Sequence, residues 1–374
     1  MIRILYTIST LANEGPVNQL YNIVKNIDKE RFDIRILTLT KEGKNTRIYD
    51  FLKEGIEIDC LDIPHKKYHF YKNKFFRKIK EIKPDIIHSY SFRTDYFSIH
   101  VKKYFPKIKT ITTIHSVTNE EYLHNYGRII GNILTMYNIN IFKGIDYLVA
   151  CSRTIKNNFK EKYNIDTYLI NNSADEDKFN VKENKSKSFY REKLNLGKDK
   201  ITYIYVGSLT KRKNVRYLVD AFNAIDERFQ LLVLGDGNLK EELMKESSSN
   251  VLFLGRKDNV RDYLMASDVF VSASFSEGMP TAVLEAMACG LPLLLSDIPQ
   301  HQEIIDRNPF VGDLFSLADR EDLVNKIKAY SSKDIIEKKS KASADTFTRY
   351  FTSKRMAEEY TKLYEDIIKE DTSI

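Results

Sequence analysis

Between Ser276 and Gly290 the chain reads SEGMPTAVLEAMACG, which sets two carboxylates, Glu277 and Glu285, eight positions apart around the start of an otherwise apolar helix. Pro280 suits a first helical position and Gly290 the residue just past the end, so the spacing predicts a helix from Pro280 to Cys289. Glu285 then falls mid-helix among Ala, Val, Leu and Met, where an ionised group without donors is costly or neutralises. Ribose and hexose hydroxyls are donors of the right kind. Glu277, in the loop with Gly278 and Met279, points toward the same space. The amides of Thr281, Ala282 and Val283 open onto it as well, and a helix N-terminus attracts phosphate. The pattern predicts a site for a polyhydroxylated, phosphorylated ligand. The competing reading is that Glu277 only complements the helix dipole and Glu285 meets an internal Arg or Lys, although no neighbour in sequence supplies that cation.

A site of this kind needs a scaffold, and 374 residues exceed what one hydrophobic core usually serves. Short β-branched runs alternate with helix-length segments: 2–8, 32–38, 56–63, 85–89, 109–115, 146–151 and 167–171, then 201–207, 229–235, 251–255, 268–273 and 291–296. Such alternation indicates buried parallel strands joined by helical crossovers. The Lys-rich stretch 181–188 interrupts it and reads as a linker. The expected fold is α/β, with two tandem Rossmann-like domains at 1–183 and 184–349 and the active site in the interdomain cleft, beyond the carboxyl ends of the strands. A charged amphipathic helix within 350–374 finishes the second domain or crosses back to the first.

The formal charge of +7 suits an anionic ligand or surface but is too diffuse to argue for nucleic acid. One stretch, 65–83, concentrates it: Lys66, Lys67, Lys72, Lys74, Arg77 and Lys78 interleave with aromatic residues. Phe75, Phe76, Ile79 and Ile82 recur at helical spacing and are expected to pack on a sheet, leaving a cationic outer face to meet an anionic membrane surface. The three cysteines, Cys60, Cys151 and Cys289, lack metal-ligand spacing, so no metal site or disulfide framework is expected. No run of about 18 apolar residues occurs, and the first strand follows Met1 directly. The expectation is a cytoplasmic protein, peripheral at the inner face of the cell membrane.

These residues together resemble the retaining glycosyltransferases of family 4, with the GT-B fold, over essentially the whole chain and most strongly over 201–305. The family's E-x7-E motif stands as Glu277 and Glu285, followed by Ala286-Met287-Ala288-Cys289-Gly290-Leu291-Pro292 and by Glu303. Gly207-Ser208-Leu209-Thr210-Lys211-Arg212-Lys213 is similar to the loop that brings an Arg and a Lys to the donor diphosphate. Lys213 matches the Lys; Ser208 stands where the Arg is usual, and Arg212 or Lys211 is a shifted replacement. Gly235 resembles the family's glycine turn, Arg256 a main-chain contact to the base, and Ser173 takes a hinge position usually held by Gly. Gly15 is what remains of a Gly-Gly loop after the first strand, and His115 matches a His near the transferred sugar.

The resemblance implies transfer of a hexose-type sugar from a nucleotide diphosphate sugar, with uridine the common base, to a glycan or lipid-linked glycan acceptor of a surface polysaccharide. The nucleotide sugar is then a substrate, and no cofactor or metal is implied. Glu277 and His115 would serve the sugar, Lys213 and Arg212 the departing diphosphate, and Glu285 the ribose. Two alternatives share the fold: a nucleotide-sugar epimerase, and a scaffolding or binding subunit that has lost catalysis.

Overall fold

A strand covered on both faces by helices can be apolar throughout, and the β-branched runs become such strands in a computed structural model that describes residues 1–180, 185–197 and 199–372, with the side chains of 118, 121, 124, 125, 371 and 372 outside the description. The chain divides into two compact units, Met1–Ser173 with Ser353–Ile374, and Ala174–Thr352. The linker expected at 181–188 begins beyond that division, and its residues 181–184 lie outside the described ones.

The first unit holds seven parallel strands: β1 Ile2–Ile8, β2 Phe32–Thr38, β3 Glu57–Cys60, β4 Ile86–Ser89, β5 Lys109–Ile114, β6 Tyr147–Ala150 and β7 Tyr168–Leu169. Their order is β3-β2-β1-β4-β5-β6-β7, so the winding reverses between β1 and β4. The second unit has β8 Ile201–Val206, β9 Phe229–Leu234, β10 Val251–Gly255, β11 Val269–Ser272, β12 Leu293–Ser296 and β13 Gly312–Phe315. Its order, β10-β9-β8-β11-β12-β13, reverses between β8 and β11. Both are doubly wound sheets of the Rossmann kind, and such reversals open crevices at the carboxyl ends of the strands.

The cationic helix Lys72–Ile82 buries Phe75, Ile79 and Ile82 in the core on one face of the first sheet. On the other face lies Ser353–Thr372, the last helix of the chain, packed beside Gly15–Asn26. Its Met356, Tyr360, Leu363, Tyr364 and Ile367 follow helical spacing into the core. Beneath it, the Tyr364 hydroxyl hydrogen-bonds the Tyr6 hydroxyl at 2.8 Å and His88 Nδ1 at 2.7 Å. His88 Nε2 continues to Thr113 at 2.8 Å, and Thr113 to the Tyr360 hydroxyl at 2.8 Å. Burial drives the His88 pKa well below its usual value, so the network is held by neutral groups. At the end of this unit Ser173 is clamped by Gln19, which donates to its carbonyl at 2.9 Å and accepts from its amide at 2.8 Å.

Removing one member strands the others in the core. Tyr364→Phe should destabilise the protein by about 1–3 kcal/mol, the usual cost of an unsatisfied buried partner, read as a lower midpoint in urea denaturation. An unchanged midpoint would mean that water enters beneath the helix.

Candidate active site

The reversal between β8 and β11 makes neighbours of two loops far apart in sequence. After β8 the chain turns through a short 3-10 segment, Lys211–Lys213. After β11 it runs through Ser274 to Glu277. The Phe275 amide donates to the Arg212 carbonyl at 2.9 Å, tying the loops together. Lys213 then donates to Glu277 Oε1 at 2.5 Å, Arg212 Nη1 lies 3.3 Å from Oε2, and Ser274 donates to Oε1 at 2.6 Å. Arg212 also donates to the Ser276 carbonyl at 2.5 Å. The Glu277 side chain is 6% exposed, against 19% for Lys213 and 31% for Arg212. Burial alone would keep this carboxyl protonated. Lys213, Arg212 and the hydrogen bonds overcome it and hold the pKa at about 2. Two cations and one carboxylate leave a net positive charge, which suits an anion.

The carboxylate held between Lys213 and Arg212 is thus Glu277. Glu285 is half-buried rather than enclosed among apolar residues, and both it and Arg261 lie within electrostatic reach of the Cys289 thiol. The helix spans Thr281–Ala288, one residue shorter at each end than the sequence predicts, because Pro280 adopts extended backbone as its cap. The Val283 amide, expected to be open, donates to the Pro280 carbonyl at 3.0 Å. The mouth is therefore at most Thr281 and Ala282, both half-buried, while Gly278 and Met279 are buried.

Gly207, Gly235 and Arg256 stand at the ends of β8, β9 and β10, whose loops are zipped by their backbones. The Gly207 amide donates to Leu234, Leu209 to Asp236 and Gly235 to Gly255, all at 2.9 to 3.0 Å. A Cβ on Gly235 would sit 1.8 Å from the Gly207 carbonyl oxygen, and one on Gly237 would sit 2.4 Å from that of Leu209. The glycines are needed for loop-on-loop contact, a reason independent of any nucleotide. Ser208 and Lys211 are exposed, as is Arg256.

One residue of this cluster escaped the sequence reading. His301, fully buried, is held through Nδ1 by the Ser296 carbonyl at 2.9 Å, while Nε2 has no partner among the described residues. Burial takes its pKa down to about 4 although Glu277 pulls it up. Its only signal in sequence was proximity to Glu303, which is also buried.

In the first unit, Gly15 opens the helix Gly15–Asn26 with open space where a Cβ would stand, so the fold itself does not require a glycine there. His115 follows β5 with its ring 5.3 Å from that of Tyr90. Its Nε2 is out of solvent without a partner among the described residues, and burial lowers its pKa to about 4, so the ring is neutral near pH 7. Lys66, Lys67, Lys74 and Arg77 are exposed. Lys72 sits over Tyr96, and Lys78 pairs with Asp59 and Glu81.

Residues 14–178 match the model of Glycosyltransferase Family 4, and residues 200–332 that of Glycosyl transferases group 1. The chain belongs to glycosyltransferase family 4. It is 25% identical to the O-antigen biosynthesis glycosyltransferase WclY of Escherichia coli over 99% of both chains. It is equally identical to the Escherichia coli UDP-Gal:alpha-D-GlcNAc-diphosphoundecaprenol alpha-1,3-galactosyltransferase over 91% of each. Anabaena Alr3699/HepE, solved in complex with UDP-glucose, superposes with a TM-score of 0.82 at 15% identity, over 98% of this chain and 100% of that one. The two doubly wound units are those of the GT-B fold.

In this glycosyltransferase the buried ion cluster has a pH signature. A carboxyl held at about 2 against an ordinary 4.5 contributes stability that is complete above pH 4.5 and lost as pH falls through about 2. The stability difference between the wild type and Glu277→Gln, measured by denaturation, should therefore be largest above pH 4.5 and shrink toward pH 2. A difference that stays flat across that window would contradict the assigned ionisation.

Proposed function

We propose that this glycosyltransferase moves a hexose-type sugar from a nucleotide diphosphate sugar, with uridine as base, to a glycan or lipid-linked glycan acceptor in surface polysaccharide synthesis. The reading rests on one observation: Glu277 lies buried between Lys213 and Arg212 at the reversal of the second sheet. The O-antigen in the name of one Escherichia coli relative supports the polysaccharide setting, and the donor and acceptor in the name of the other support a uridine nucleotide and a lipid-linked glycan.

In the reaction the bond from the anomeric carbon to the phosphate oxygen breaks and one to the acceptor oxygen forms, on the same face, so configuration is retained. Negative charge grows on the departing diphosphate. Lys213 and Arg212 meet it already oriented, because Glu277 and the Ser276 carbonyl fix them before any ligand arrives. Glu277, ionised, has lone pairs left to accept from sugar hydroxyls. It is a poor nucleophile with two cations on it, and the leaving phosphate is the base that takes the acceptor proton. The charge is met without a metal ion. Half-buried Glu285 accepts from the ribose hydroxyls, and neutral His115 offers a ring nitrogen to the transferred sugar. The exposed cations of 65–83 support a position at an anionic cytoplasmic membrane surface, at about 1 kcal/mol each.

Among the described residues no helix is long and apolar enough to cross a membrane. Thermal shift against a panel of nucleotide sugars should single out a uridine donor. With that donor, Lys213→Ala and Glu285→Ala should each lower transfer by about 10²- to 10³-fold while the proteins remain folded. Normal turnover by either variant would overturn the assignment, and a donor isomerised without acceptor would point to an epimerase.

A further inference from the structure

The first sheet has its own reversal, between β1 and β4, and its loops also meet, the Ser9 and Ser91 hydroxyls hydrogen-bonding at 3.0 Å. Arg93 stands in the first turn of the helix Phe92–Tyr104 that leaves this crevice. It is 7% exposed, and its Nη1 is out of solvent with no hydrogen-bond partner among the described residues. The carboxylate nearest in sequence is engaged elsewhere: Asp95 accepts from Ser89 at 2.6 Å and from Thr112 at 2.7 Å. A buried guanidinium with no counter-ion among the described residues is costly to the fold, and its planar fork of donors matches a phosphate.

Near Arg93 lies an uncovered apolar face. The helix Thr118–Phe142 is broken at Gly127, whose φ of 74° is left-handed. Beyond the break Ile129, Ile130, Ile133 and Met136 form one stripe, each 54% to 77% exposed. The next residue, Tyr137, places its ring 5.7 Å from that of Phe92. Tyr68 lies within electrostatic reach of both Tyr137 and Arg93. It opens the 3-10 turn Tyr68–Tyr71, which carries exposed Phe70 and directly follows exposed Lys66 and Lys67. A stripe of this size marks an interaction surface, and aliphatic side chains edged by tyrosine and lysine fit an anionic bilayer interface. A second copy fits worse, since a two-fold contact would bring the same lysines together.

We propose that the first unit takes its acceptor from the membrane surface as a lipid-linked diphosphate, with Arg93 holding a phosphate oxygen and the stripe Ile129, Ile130, Ile133 and Met136 resting among the acyl chains. This builds on the reading of the enzyme as a transferase to lipid-linked glycans, yet its test needs neither donor nor turnover. Full-length protein is sedimented with phosphatidylcholine vesicles carrying either a polyprenyl diphosphate or, at matched charge, phosphatidylglycerol. The wild type should bind the diphosphate vesicles about ten-fold or more tightly. Arg93→Gln should lose that preference while still binding both. Ile129→Ser combined with Ile133→Ser, both exposed positions, should weaken binding to both by about ten-fold or more. Should Arg93→Gln fail to fold, inorganic pyrophosphate added to the wild type should erase the same preference. Equal binding of the wild type to the two vesicles, or unaltered binding of the double isoleucine variant, overturns the proposal. So does a dimer in sedimentation velocity that the isoleucine variant dissolves, because the face then belongs to a second copy. A parallel transfer assay with a soluble acceptor separates the two readings: transfer without vesicle binding sinks this inference alone.

Discussion

A carboxylate buried between two cations sets the terms for the second unit. Glu277 would neutralise in so dry a place if Lys213 and Arg212 were absent, and each cation would in turn lose its anchor. Such an arrangement is not needed for stability, since apolar side chains would fill the space at no greater cost. On the proposed reading, its value lies in fixing two positive charges for a departing diphosphate. Charges oriented in advance need no reorganisation when the leaving group develops its own.

Strand order makes the meeting possible. Because β8 and β11 are neighbours across the reversal, residues some sixty positions apart in the chain finish side by side. The same order shapes the loops around them. Gly235 and Gly237 let the β9 loop lie directly on the β8 loop, so the segment carrying Lys213 is supported by backbone and not only by its ion pair. The parallel ladders beneath are buried on both faces, and a shift of register in one strand would move every loop residue with it.

Much of this was legible from residues alone, for identifiable reasons. Runs such as Ile2–Ile8 and Phe229–Leu234 announce themselves because a strand covered on both sides has no polar face to blur it. Gly312–Phe315, read as no strand, is four residues long and contains Gly and Asp, so composition hides an edge strand that position alone creates. Glu277, Lys213 and Arg212 were picked out, but their mutual pairing was not, because a contact across a sheet reversal leaves no trace in local spacing. Glu285 was expected to be buried since helical periodicity counts neighbours along one helix and is blind to whether another element covers that face. His301 and Arg93 illustrate the limit most sharply: each is ordinary in sequence and becomes chemical only when burial strips a polar atom of water.

The two units differ in how they treat such atoms. In the second, the charged groups at the reversal satisfy one another, and the proposed diphosphate would share cations that already have a counter-ion. In the first, the loops around the reversal hold His115 Nε2 and Arg93 Nη1 with no partner among the described residues. Unpaired buried groups cost stability that the rest of a fold must offset. A site proposed to bind one invariant feature, a diphosphate, can be built as a closed ion cluster. On the proposed reading, an acceptor arriving on a lipid would bring both its own anion and its own apolar surface, and would match a site whose cation and apolar face have no partners among the described residues.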